Sequence, residues 1–152
     1  MSMNDLISAL LWATFTVVVS QAISVAIMWW LGLPPSKLIH EIEDVQNIAV
    51  GAVFFIITLI ASIFIGLMAT EGFTPDPDGL TSAAWIVGGL ILSLVYTALS
   101  FTIAHRIMKP LPGEGVYGYM HREIVEEQNG AVAFFLGGLA TAPFIAVVFQ
   151  LL

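Results

Sequence analysis

The sequence predicts an all-α membrane protein with four transmembrane helices, arranged as two parallel two-helix repeats. Two observations predict this fold class. The chain of 152 residues is 59% hydrophobic and only 10% charged, and one ten-residue string occurs twice along it. Because ordinary soluble domains are about 25% charged, the composition indicates an integral membrane protein whose main surroundings are the lipid bilayer.

Four apolar stretches are long enough to cross a bilayer, whose hydrocarbon core of about 30 Å needs about 20 helical residues. They cover about Leu6–Leu31, Asn47–Ala69, Ala83–Met108 and Asn129–Leu152. Helices are expected because backbone groups in lipid must bond internally, and these runs lack the alternation of a barrel strand. The first stretch is too long for a cleavable signal peptide, and no positive residue precedes it.

The basic residues predict the orientation of the spans. All four lie in two loops: Lys37 lies between the first and second spans, and Arg106, Lys109 and Arg122 lie between the third and fourth. Lys and Arg accumulate on the cytoplasmic side of membrane proteins. We therefore expect both of these loops to face the cytoplasm and both termini to lie outside.

The repeated string opens the second and the fourth span. Residues 41–50 recur as residues 123–132, with six of ten positions identical at a spacing of 82 residues. This placement predicts two hairpins, residues 1–70 and 83–152, joined by an outer acidic loop rich in Pro and Gly at residues 71–82. Both hairpins then run in the same direction and are related by an axis along the membrane normal.

The same string concentrates polar residues, which form the candidate site. Each copy contributes two acids, a glutamine and an asparagine in the same order: Glu41, Asp44, Gln46 and Asn47, then Glu123, Glu126, Gln128 and Asn129. On one continuous helix the acids and the asparagine would follow one side, with the carboxylates in the inner headgroup zone. Helix-start chemistry and packing between helices are the simpler interpretation. The repetition of one order favours a ligand or ion site.

The pattern Glu-Ile-x-x-x-x-Asn-x-Ala-x opens both spans. It is carried by Glu41, Ile42, Asn47 and Ala49, and again by Glu123, Ile124, Asn129 and Ala131. In these residues the chain resembles the small bacterial inner-membrane proteins classified as domain of unknown function 350. The residue before the asparagine is often Gly in such motifs, whereas here it is Gln46 and Gln128. The resemblance covers nearly the whole chain and implies two tandem two-helix repeats in a bacterial inner membrane, with no assigned activity.

An enzyme is not predicted. The chain has no cysteine, and its sequence shows no order of nucleophile, base and acid, no His-rich helix and no phosphate-binding loop. No metal, cofactor or nucleic-acid partner is expected.

Two other function classes stay open. The first is an oligomeric scaffold or accessory subunit, because the inner loops carry about seven acids against four bases and offer an acidic cytoplasmic face to a protein partner. The alternative is an oligomeric channel or transporter for a small cation, with an inner vestibule lined by Gln21, Ser24, Thr97 and Ser100. No span carries Asp, Glu, Lys, Arg or His at mid-depth, which counts against an ion-coupled carrier. The scaffold is therefore our first prediction.

Overall fold

The computed structural model describes residues 3–71, 79–108 and 110–151. Six α-helices occupy these ranges: α1 is Met3–Trp30, α2 is Pro35–Glu43, α3 is Ile48–Glu71, α4 is Gly79–Ile107, α5 is Val116–His121 and α6 is Gly130–Leu151. A π-helical turn at Arg122–Glu126 follows α5. No residue of these ranges lies in a β-strand, which confirms the all-α class. Most of the expected outer loop, residues 72–78, lies outside the described residues.

Four of the helices, α1, α3, α4 and α6, are long and apolar enough to cross a membrane, counting only the part of the chain that the structure describes. Their candidate spans are Ala9–Trp30, Ile48–Leu67, Val87–Ile107 and Gly130–Gln150. Each lies inside the stretch that the sequence predicts. The length and composition of these helices are those of a multi-pass membrane protein.

The long helices pack with α3 and α6 against each other, α1 against α3, and α4 mainly against α6. Among the described residues, α1 and α4 do not touch. The main core lies near the N-terminal ends of α3 and α6, where the repeated strings end, and it includes Ala49, Val50, Ala133 and Leu136. The outer faces of α1 and α4 carry exposed aliphatic side chains, which suits contact with lipid.

The close approach of α3 and α6 depends on Gly137. A Cβ atom at this position would collide with Cδ1 of Ile56 and would lie 3.2 Å from its Cγ1. The next residue, Gly138, has no atom within 4 Å of a Cβ built in the same way. Gly137 therefore lets the two central helices pack, whereas Gly138 faces open space.

Candidate functional site

The first repeated string does not form one continuous helix, contrary to the expectation from its spacing. Helix α2 ends at Glu43, and Gln46 has a φ of 58°, in the left-handed region. The main-chain N–H of Asn47 donates to the carbonyl of Glu41 over 2.8 Å. The result is a wide version of the left-handed turn that ends many helices. The predicted alignment of the acids and the asparagine along one helix side is therefore wrong.

This turn brings Glu41 and Asn47 together in the protein interior. The Nδ2 of Asn47 donates to Oε2 of Glu41 over 3.0 Å. Its Oδ1 accepts the main-chain N–H of Val50 at 3.1 Å, which caps the start of α3. Asn47 is 2% exposed and Glu41 is 8% exposed. The Glu41 carboxylate is therefore buried within the protein, and its bond to the amide offsets part of the free energy that burial costs.

The second repeated string forms the same arrangement. Gln128 has a φ of 54°, and the main-chain N–H of Asn129 donates to the carbonyl of Glu123 over 2.7 Å. The Nδ2 of Asn129 donates to Oε2 of Glu123 over 2.8 Å, and its Oδ1 accepts the N–H of Val132 at 3.2 Å. Glu123 is 8% exposed. We call Glu41–Asn47 the first carboxylate–amide pair and Glu123–Asn129 the second.

The other predicted members of the cluster lie on the surface. The side chains of Gln46 and Gln128 are exposed, so these residues shape the turn through the backbone. Asp44 and Glu126 are also exposed, and each lies beside the imidazole of a nearby histidine, at 2.6 Å and 3.5 Å respectively. The eight predicted residues thus divide into two inward-facing pairs and four surface residues.

The first pair also contacts the second half of the chain. The Nδ2 of Asn47 faces the main-chain carbonyls of Ile124 and Val125, at 3.1 Å and 3.5 Å. Both carbonyls belong to the π-helical turn that precedes α6. Within the described residues, the side chain of Asn129 makes no hydrogen bond to the first half. Asn47 therefore joins the two halves through one buried amide.

Ion pairs centred on Arg122 adjoin the second pair at Glu123, and they were not predicted from the sequence. Nε and Nη2 of Arg122 donate to the two carboxylate oxygens of Glu114, over 2.9 Å and 3.1 Å. Nη1 donates to Oε1 of Glu123 over 3.0 Å and also to Glu127. The only signal in the sequence is the position of Arg122 next to several acids of the second inner loop, and its spacing from Glu114 does not predict a contact.

These bonds change the acidity of the groups involved. The Arg122 guanidinium, together with the N–H of Leu111, lowers the pKa of the Glu114 carboxyl. Hydrogen bonds from Arg122 to Glu114 and then to Glu127 raise the pKa of the guanidinium. Burial raises the pKa of the Tyr119 hydroxyl, and the guanidinium carbon lies 5.5 Å from the centre of the Tyr119 ring. The Glu114 carboxylate and the Arg122 guanidinium are therefore both charged at neutral pH.

The predicted vestibule residues are not gathered in one chain. Ser24 is buried on α1 and accepts a hydrogen bond from Oγ1 of Thr58 over 3.0 Å. Gln21 is exposed on α1, whereas Thr97 and Ser100 are half-buried on α4. Since these two helices do not touch in the described part of the chain, a shared vestibule would need more than one copy.

No metal centre is found among the described residues, and the cavity between the central helices is small. No group of three or more His, Asp or Glu side chains there is placed to hold a metal ion. A cavity between α3 and α6 has a volume of about 10 Å³ and is lined by apolar atoms, with Phe64 and Phe144 among the lining residues. An apolar space of this size holds neither water nor a substrate.

Comparison of the chain with protein-family models, with curated proteins and with solved structures finds no match. The family resemblance therefore stays a prediction. A functional assignment rests on the geometry of the two carboxylate–amide pairs and on the surfaces around them.

Proposed function

We propose that this protein is an oligomeric membrane scaffold or accessory subunit that docks a protein partner on an acidic inner face. One observation carries the proposal: the polar residues of the repeated string bond to each other and across the two halves. Each carboxylate is bonded by an amide of its own half, and Asn47 also reaches Ile124. Polar networks that are satisfied in this way rigidify a fold, which is the requirement of a scaffold.

The two hairpins, residues 1–70 and 83–152, are tandem repeats in this proposal. Support comes from the matching hydrogen bonds of the two pairs and from the packing of α1 on α3 and of α4 on α6. A left-handed backbone at Gln46 and Gln128 is the conformation that favours glycine. Glycine is the residue often found there in the family that the chain resembles. This chain has glutamine where the family often has glycine, and its backbone there adopts the left-handed conformation that favours glycine. That agreement supports the resemblance.

The protein lies in the bacterial inner membrane in this proposal, with α2 and α5 on the cytoplasmic side and both termini outside. The positive-inside distribution of Lys and Arg supports this orientation. Aromatic residues support the proposed position of the inner membrane–water boundary. Trp29 and Trp30 are exposed at the end of α1, and the ring of Trp30 lies 5.4 Å from that of Tyr117 on α5. Tryptophan and tyrosine favour the membrane interface.

The proposed docking partner carries a basic segment. The exposed acids beside the two pairs are Glu43, Asp44, Glu126 and Glu127. Arg122 neutralises part of this charge, but acids outnumber bases in the inner loops. A surface of this sign attracts a cationic segment and speeds its association.

The test measures binding of a fluorescent lysine-rich peptide to the whole protein in nanodiscs of uncharged lipid. We expect salt-sensitive binding that the combined change Glu43→Gln and Asp44→Asn weakens several-fold. The matched control removes two acids from the outer loop, Asp76→Asn with Asp78→Asn, on the opposite side of the membrane. Failure of the wild-type protein to bind, or an equal loss in the control, would overturn the docking proposal. A monomeric state of the wild-type protein in native mass spectrometry would overturn the oligomeric part.

A further inference from the structure

Gln21 places a carboxamide close to the middle of the first span. That span covers Ala9–Trp30, so Gln21 lies within about 3 Å of its centre at 1.5 Å of rise per residue. The side chain is exposed, and no described residue bonds to it. By contrast, the hydroxyls of Thr14, Ser20 and Ser24 on α1 each donate to the carbonyl four residues earlier. Since hydrocarbon offers no hydrogen-bond partner, the Gln21 amide needs one from another protein surface.

Gln21 also ends a continuous stripe of exposed side chains on α1. The stripe consists of Ile7, Leu10, Thr14, Val17 and Gln21. Its alternating steps of three and four residues are the heptad spacing of helices that pack side by side. The next two positions of the same spacing, Ser24 and Met28, are buried in the part of α1 that packs on α3, whereas the five side chains of the stripe stay exposed.

We propose that this stripe is the interface of a homodimer in which α1 of a second copy packs in parallel and the two Gln21 carboxamides bond to each other. Two copies with the same orientation in a membrane are related by a two-fold axis along the membrane normal. Each residue at that axis therefore faces the same residue of the other copy. A carboxamide carries both donors and an acceptor, so it complements its own copy. Lipid or an aliphatic partner would leave it unsatisfied. The inference rests on the oligomeric assembly of the proposed function and names its contact surface.

The exposed face of α4 gives the competing geometry. At a similar depth this helix exposes Leu94, Val95 and Leu99, together with the ring of Tyr96. A head-to-tail contact would place Gln21 of one copy against Tyr96 of the next and would produce a ring or a filament. The heptad stripe, which continues from Ile7 to Gln21, favours the symmetric α1 contact.

Cysteine cross-linking tests this interface cleanly, because the chain has no native cysteine. We expect Leu10→Cys and Val17→Cys, made singly in the whole protein, to form disulfide-linked dimers in native membranes. Phe15→Cys, which is exposed on another face of α1, and Leu99→Cys on α4 are the controls and should stay monomeric on non-reducing gels. We also expect Gln21→Leu to weaken dimerisation about 3- to 10-fold in a fluorescence-transfer assay, and Gln21→Asn to retain most of the affinity.

Three outcomes would overturn the inference. One is cross-linking of the control variants as strongly as Val17→Cys. Another is unchanged dimerisation of Gln21→Leu. The third is cross-linking of Val17→Cys only to Leu99→Cys in a mixed sample, which would place α1 against α4 of the next copy. If the wild-type protein is an oligomer, any of these results overturns the α1 interface alone. If the wild-type protein is a monomer, the proposed assembly itself is overturned.

Discussion

The two halves of the protein use the same turn in different ways. In the first half, Asn47 is 2% exposed and its amide reaches the main chain of the other half. Among the described side chains, only that of Asn47 bonds to the Glu41 carboxylate. In the second half, Asn129 bonds within its own half, and Glu123 is also bonded by Arg122. The first pair therefore joins the two halves, whereas an ion pair with Arg122 holds the second pair in place.

A single difference in sequence explains much of this contrast. At the spacing of 82 residues, His40 takes the place of Arg122. The arginine reaches three carboxylates at once, whereas the His40 ring contacts exposed Asp44. Because their neighbours differ, we expect the identical motif residues to contribute unequally to the stability. Variants at matched positions of the two halves measure this inequality directly.

Removal of the first amide should have the largest effect. Asn47→Ala loses the cap of α3, about 1 kcal/mol, and leaves the Glu41 carboxylate without its amide donor, about 1–3 kcal/mol. We expect a total loss of about 3 kcal/mol in the free energy of unfolding. Asn129→Ala is the matched control and should cost about 1 kcal/mol, because Arg122 still binds Glu123. Denaturation in mild detergent measures both losses, and equal values would contradict the unequal roles.

The central helices supply the next effect. Residue 137 is a glycine packed on Ile56, whereas the residue 82 positions earlier, Phe55, is exposed. Gly137→Ala should therefore destabilise the protein by about 1–3 kcal/mol through overpacking. Gly138→Ala has open space and should change the stability by less than about 0.5 kcal/mol. Similar melting temperatures for the two variants would show that α3 and α6 do not pack as closely as described.

The ion cluster should make the second half sensitive to acid. The pKa of Glu114 lies below its ordinary value of 4.5 in the folded protein, so the unfolded chain binds this proton more readily. The resulting stabilisation is present above pH 4.5 and is lost as the pH falls through the lowered value. We expect Glu114→Gln to reduce the fall in melting temperature between pH 5 and pH 3, measured in steps of about half a unit. Glu43→Gln, a change at an exposed carboxylate on α2, is the control and should leave that fall unaltered.

The smallest effect should be a gain, and it should be equal in the two halves. Gln46 and Gln128 both have left-handed backbones, which cost a non-glycine residue about 1 kcal/mol. Their exposed side chains have no bonded partner among the described residues. Gln46→Gly and Gln128→Gly should each therefore stabilise the protein by up to about 1 kcal/mol in the same denaturation assay. A loss of stability in either variant would mean that the replaced glutamine side chain makes a stabilising contact that the structure does not show.

The sequence predicted the spans well, because a bilayer imposes one length and one composition on every helix that crosses it. All four candidate spans lie inside the predicted stretches. The break after Glu43 was not predicted, since glutamine does not signal a left-handed turn as glycine does. The bonds of Asn47 to Ile124 and of Arg122 to Glu114 depend on how separate segments pack. The spacing of residues along the chain carries no information on such contacts. The eight candidate residues could therefore be predicted, but not which of them bond to each other.

The bond between Asn47 and Ile124 also bears on how the protein is made. The two residues are 77 positions apart, so the first hairpin is synthesised well before the carbonyl that completes its polar centre. Until the second hairpin is made, the Asn47 amide lacks its bond to the Ile124 carbonyl beside the Glu41 carboxylate. We expect the first hairpin alone to be a substrate for membrane quality control. Release of the second hairpin from the ribosome is then the step that protects the chain from degradation.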